Sequence, residues 1–140
     1  MTKKMLALGC VLLALFTLSV SALASNPGDV AVGGELLFTI RVTVEGRTPA
    51  QRAGDVEDRL PEILGFRSIM PADVKVAASG NKNLKITVKN LLLVVVTPAD
   101  AKVNQVTLRK QAEIWAQRLR KILPLINAKP NPNTVSFKGF

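Results

Sequence analysis

The chain contains no histidine and no tyrosine, and its one cysteine is Cys10. Without histidine it lacks the side chain best suited to proton transfer near neutral pH, and with it the usual imidazole ligands of zinc. A lone cysteine forms no intramolecular disulfide, and Cys10 lies in a segment expected to be removed, which excludes a thiol nucleophile from the mature chain. Aromatics are scarce, one tryptophan and five phenylalanines, and they do not interleave with basic residues as a base-stacking surface requires. Carboxylates are outnumbered: 10 Asp and Glu face 19 Lys and Arg, and setting Lys3 and Lys4 aside still leaves 17 cations.

Lys3 and Lys4 open an apolar run from Met5 to Val20, which ends at Ala22-Leu23-Ala24 before polar Ser25. That is the pattern of a secretory signal peptide cleaved near Ala24. A retained membrane anchor is the competing reading. Ala7-Leu8-Gly9 before Cys10 is a poor lipoprotein signal. With residues 1–24 set apart, the rest is one domain's worth of chain and is expected in the periplasm or outside the cell. A basic domain there suits anionic partners such as phospholipid head groups, cell-wall polymer or an acidic protein face, and nucleic acid is not expected.

Residues 25–35 carry Pro27, Gly28, Gly33 and Gly34 and read as a flexible lead-in. From Leu36 to Val44 apolar and polar residues alternate, with Leu36, Phe38, Ile40, Val42 and Val44 on one face of a strand. Thr48-Pro49-Ala50-Gln51 is a helix start with a capping-box threonine and glutamine. Ala53, Val56, Leu60, Ile63 and Leu64 then mark one helix face, and Arg52, Asp55, Asp58, Arg59 and Glu62 the other. Pro61 predicts a kink or break near Leu60. The acids Asp55, Glu57, Asp58 and Glu62 read as a solvated helix face rather than metal ligands, because Arg52 and Arg59 are interleaved with them.

Asp73 to Ser79 and Leu84 to Val88 form the arms of a hairpin, and Lys89-Asn90 turns the chain into Leu91 to Val96, six consecutive apolar residues. That run is too short to span a bilayer and rich in β-branched residues, so it reads as a buried strand. Thr97-Pro98-Ala99-Asp100 repeats the earlier helix-start chemistry. After a break at residues 103–106 a second cap at Thr107 opens a helix with Leu108, Ala112, Trp115, Leu119, Ile122 and Leu123 on one face, and Trp115 is assigned to the core. Pro124 is expected to stop that helix, leaving a Pro/Asn-rich tail over residues 125–140 that includes Val135, Phe137 and Phe140.

The expected fold class is therefore α+β: a single domain over residues 36–124, ordered β-α-β-β-β-α. Its open mixed sheet has about four strands, including a parallel crossover, and two helices pack on one face. The opposite face is expected to carry Arg41, Lys75, Lys85 and Lys89 beside one apolar triplet of the last strand, taken as Leu92, Val94 and Val96. A basic surface crossed by an apolar stripe is a candidate docking site for an envelope or membrane protein or a second copy, unless the chain's own tail or break segment covers it.

Leu37-Phe38-Thr39-Ile40, Arg47-Thr48-Pro49-Ala50-Gln51-Arg52-Ala53, the run from Ile86 through Lys89-Asn90 to Ala101, and Ala112-Glu113-Ile114-Trp115-Ala116 together resemble the extracytoplasmic domain that precedes the channel region of bacterial small-conductance-type mechanosensitive channel proteins. The likeness covers about Leu36 to Leu123. It departs from that family where Lys89-Asn90 stands for the usual glycine-aspartate turn, and no channel-forming helices follow Leu123. The resemblance implies a free-standing envelope domain, accessory to a channel or another membrane complex. The functional expectation is a non-enzymatic exported interaction domain with no cofactor and no metal. A basic binder of anionic envelope polymer or lipid head groups is the alternative.

Overall fold

The computed structural model describes residues 26–127. The leader over residues 1–24, its cleavage point near Ala24, and tail residues 128–140 with Val135, Phe137 and Phe140 lie outside the described residues. The elements run β1 (Asp29–Val32), β2 (Glu35–Thr39), α1 (Pro49–Leu64), a 3-10 turn (Pro71–Asp73), β3 (Val74–Ser79), β4 (Asn83–Val88), β5 (Leu91–Val96), α2 (Pro98–Val103) and α3 (Leu108–Asn127). The class is α+β. The strands form two antiparallel sheets, β1-β2 and β3-β4-β5, rather than one mixed sheet with a parallel crossover.

The division follows from the lead-in. Gly33 and Gly34 take φ values of +59° and +81°, which fold Asp29–Val32 back onto β2 as a hairpin, so β2 pairs with β1 and not with the later meander. The pairing shifts by one residue between Val30↔Phe38 and Ala31↔Leu36, leaving Leu37 as a bulge. Strict alternation ends there: Leu37 and Phe38 are both buried, Leu36 is turned out at 43% exposure, and the strand stops at Thr39 instead of reaching Val44.

β3, β4 and β5 form the expected meander, joined by turns at Gly80 and at Lys89-Asn90, where both residues have positive φ. A second bulge, between Ile86↔Val94 and Thr87↔Leu92, leaves Leu93 unpaired, so Leu93 and Val94 both enter the core and Val96 follows. The candidate triplet Leu92, Val94 and Val96 is therefore split. Leu92 is 38% exposed, whereas Val94 and Val96 are buried.

α1 begins at the Thr48–Gln51 capping box and runs through Pro61 to Leu64 without the expected break. Pro61 and Glu57, whose carbonyl loses its partner, are both exposed, so water satisfies that oxygen. α3 likewise continues through Pro124 to Asn127. Its last turn is fastened from outside the helix: the Asn127 amide donates to the Leu64 and Phe66 carbonyls at 3.3 and 2.8 Å, and its oxygen accepts from the Ile69 N–H at 3.1 Å.

One core holds both sheets together. α3 packs against β2, β3, β4 and β5 with Ala112, Trp115, Ala116, Leu119, Ile122 and Leu123 buried, and α1 packs against β1 and β5 with Val56, Leu60 and Ile63. Phe38 stacks on Trp115 with ring centroids 4.6 Å apart and planes at 15°, which fixes the small sheet to α3. Arg52, which the helical period places toward solvent, turns inward. Its guanidinium donates twice to Asp100 at 2.8 Å and once to the Val42 carbonyl at 2.9 Å, and Asp100 in turn caps Thr97. This pair ties α1 to α2 with both charges almost wholly desolvated.

Candidate functional site

The basic face expected from the sequence is dispersed. Lys75 and Lys85 lie on the outer face of the three-stranded sheet, in rows Lys75-Thr87-Leu92 and Ala77-Lys85-Val95. The only large apolar side chain there with more than a third of its surface exposed is Leu92. Lys89 sits at the end of the sheet, where its ammonium lies 3.2 Å from Asp73 and 5.9 Å from the centre of the Phe66 ring. Asp73 also accepts from the Met70 N–H at 2.7 Å. That hydrogen bond first, then Lys89 and the field of Lys75, holds the Asp73 carboxyl below the usual carboxylate range. Arg41 belongs to neither group. It follows β2 and reaches Asn104 at 3.5 Å.

A groove of about 700 Å³ lies instead between β2 and α3. The bulge at Leu37 turns Leu36 outward onto one wall, and Ile114, 44% exposed, faces it from α3. The stacked Phe38 and Trp115 contribute to its lining, so the apolar part is backed by packed core and not by mobile side chains. Among the described residues, the charged side chains lining it are Arg41, Arg118 and Lys121, with no carboxylate. Arg118 is held in place: its Nε donates to the Leu36 carbonyl at 3.0 Å.

A polar end completes the groove. Gln111 is 1% exposed, and its side-chain oxygen accepts from the Asn104 amide at 2.8 Å, while Asn104 accepts from Arg41. The groove thus presents apolar walls and three cations beside a buried amide pair. That set suits an anionic, partly apolar ligand.

The sequence reading named Arg41 of this set and missed Leu36, Ile114, Arg118 and Lys121. The available signal was Gly33-Gly34 between two short β-prone runs, which marks a hairpin and so places β1 beside β2. Ile114 carried a weaker one, as an apolar residue off the buried stripe of its helix.

A family model described as a domain of unknown function, DUF8459, matches residues 29–124, and the chain belongs to that family. Those bounds run from the first residue of β1 to the last turn of α3, so they enclose both walls of the groove. No curated protein and no solved structure matches the chain.

Proposed function

We propose that this DUF8459 domain is a non-enzymatic interaction module of the cell envelope that holds a partner protein in the groove between β2 and α3. The reading is carried by one observation: Leu36 and Ile114 stay exposed over a rigid aromatic floor while the charged side chains lining the groove, among the described residues, are all cations. Exposed aliphatic side chains ringed by one sign of charge are what a complementary protein surface covers. Export rests on the leader pattern Lys3 to Ala24, and a membrane channel or another envelope complex is the partner class that the sequence resemblance favours.

A photo-reactive residue placed at Leu36 or at Ile114 in the producing cells tests this. The expected result is a discrete envelope-protein adduct from both positions, lost on Arg118→Glu, with none from the same residue at Lys75. Adducts from position 75 alone, or adducts indifferent to Arg118→Glu, contradict the assignment. A second reading, a binder of anionic polymer or lipid head groups, is favoured by the excess of cations and by exposed Lys75. It requires binding that falls steeply with salt and ignores Leu36→Asp.

A further inference from the structure

We propose that the unpaired edge of β2 takes up an extended, acidic segment of the partner protein as an additional strand, a mode of binding that rests on the interaction-module reading above. Among the described residues, both outer edges of the three-stranded sheet are met by guanidinium groups. β5 pairs only with β4, and its Leu93 and Val95 carbonyls accept from Arg59 and Arg52 of α1 at 3.0 and 3.5 Å. At β3 the Asp73 carbonyl accepts from Lys89 of the adjoining turn, so the next carbonyl, Val74, points outward, and Arg120 takes it with two N–H groups at 3.1 and 3.3 Å.

β2 is different. The Ile40 N–H donates to Gly28 across the pair, so the N–H and C=O of Thr39, one residue earlier, point away from β1. Leu36, Leu37, Phe38 and Thr39 all line the groove. The bulge breaks alternation at Leu37, but Phe38 and Thr39 are regular neighbours that point to opposite faces, so both meet one cavity only where the strand presents its edge to it. A strand added there gains main-chain hydrogen bonds from that edge. Its side chains meet Leu36 from β2 and Ile114, Arg118 and Lys121 from one face of α3, with Arg41 beside them, which selects a segment that carries both apolar and acidic residues.

Charge also decides between occupants. Pairing β2 with a second copy brings Arg118 and Lys121 against their own kind, which repels. A lipid acyl chain leaves the outward-facing Thr39 amide without a partner. An acidic peptide in extended form supplies one.

The test selects displayed random heptapeptides on the immobilised full-length chain, with the Leu36→Asp/Ile114→Asp variant as counter-selection. Enrichment of peptides that combine acidic and apolar residues is expected. In the best synthetic peptide, N-methylation of the amides that face β2 should weaken binding about tenfold or more, while methylation of the opposite amides leaves it unchanged. Peptides that bind equally with either set methylated overturn strand addition but leave the groove as the docking site. Peptides without acidic residues overturn the charge selection. Failure to enrich anything groove-dependent, alongside intact adducts from positions 36 and 114 in cells, refutes the extended-segment proposal and spares the interaction-module reading. Dimerisation abolished by Leu36→Asp, or Leu36-dependent binding to phosphatidylglycerol vesicles, overturns it in favour of those occupants.

Discussion

Two strand edges in this molecule meet arginine in different ways. At β5, Arg52 and Arg59 reach from α1 to the Leu93 and Val95 carbonyls, and Arg52 is locked onto Asp100, so that edge is closed by a buried network. At β2, Arg118 touches a single carbonyl and keeps its other donors at the rim of a solvent-filled groove. Guanidinium is the chemistry at both edges, yet it is structural at one and available at the other. The difference is whether a carboxylate is supplied from within the chain. Asp100 supplies it at β5, and among the described residues no acid lines the groove at β2.

The contrast is most easily broken at the closed edge. Asp100→Ala should cost about 3–5 kcal/mol of folding stability, since it strands the Arg52 charge with almost no solvent, and urea unfolding measures it. The double replacement Arg52→Met/Asp100→Leu should recover most of that loss. Trp115→Ala comes close behind, at about 3–5 kcal/mol, and it should also slacken the groove by removing the face on which Phe38 stacks. Thr97→Ala, which removes the hydroxyl that caps α2, should cost about 1 kcal/mol.

At the open edge the prediction has the opposite shape. Leu36→Asp and Arg118→Glu should each change stability by no more than about 0.5 kcal/mol while abolishing adduct formation in cells, because both act on a surface that the fold does not need. The smallest effect is expected at Asp73. Its carboxyl is held below the ordinary range in the folded state, so its contribution is present above the ordinary aspartate value and is lost as pH falls through the lowered one. Asp73→Asn should therefore lower stability slightly at neutral pH and leave it unchanged in strong acid, which flattens the acid limb of a stability-against-pH curve.

Much of the scaffold was legible in the residues. Both Thr-Pro-Ala starts became capped helices, the meander fell where turn chemistry put it, and the buried stripe of α3 from Ala112 to Leu123 follows its 3.6-residue period. Three features were not legible, each for a physical reason. The two bulges shift register by one residue, and a one-residue slip turns every later side chain to the other face, which is why Val94 and Val96 are inside and Leu36 is outside. Pro61 and Pro124 were read by local propensity, and exposure of the lost carbonyl and the Asn127 clasp overrode it. Arg52 and Arg59 look like solvent residues by period. Except for Val42, their partners lie 34 to 48 positions away in sequence, where no local pattern reaches. The groove inherits all of this, since it exists only after the first hairpin docks on α3.

The most direct measurement is amide hydrogen exchange on the full-length chain with and without a groove-selected acidic peptide. Strand addition at β2 predicts new protection at Thr39, with no change along β3 or β5. Protection confined to Lys75 through Lys85, or none at Thr39 under saturating peptide, would contradict the claim that the open edge of β2 is where this domain meets its partner.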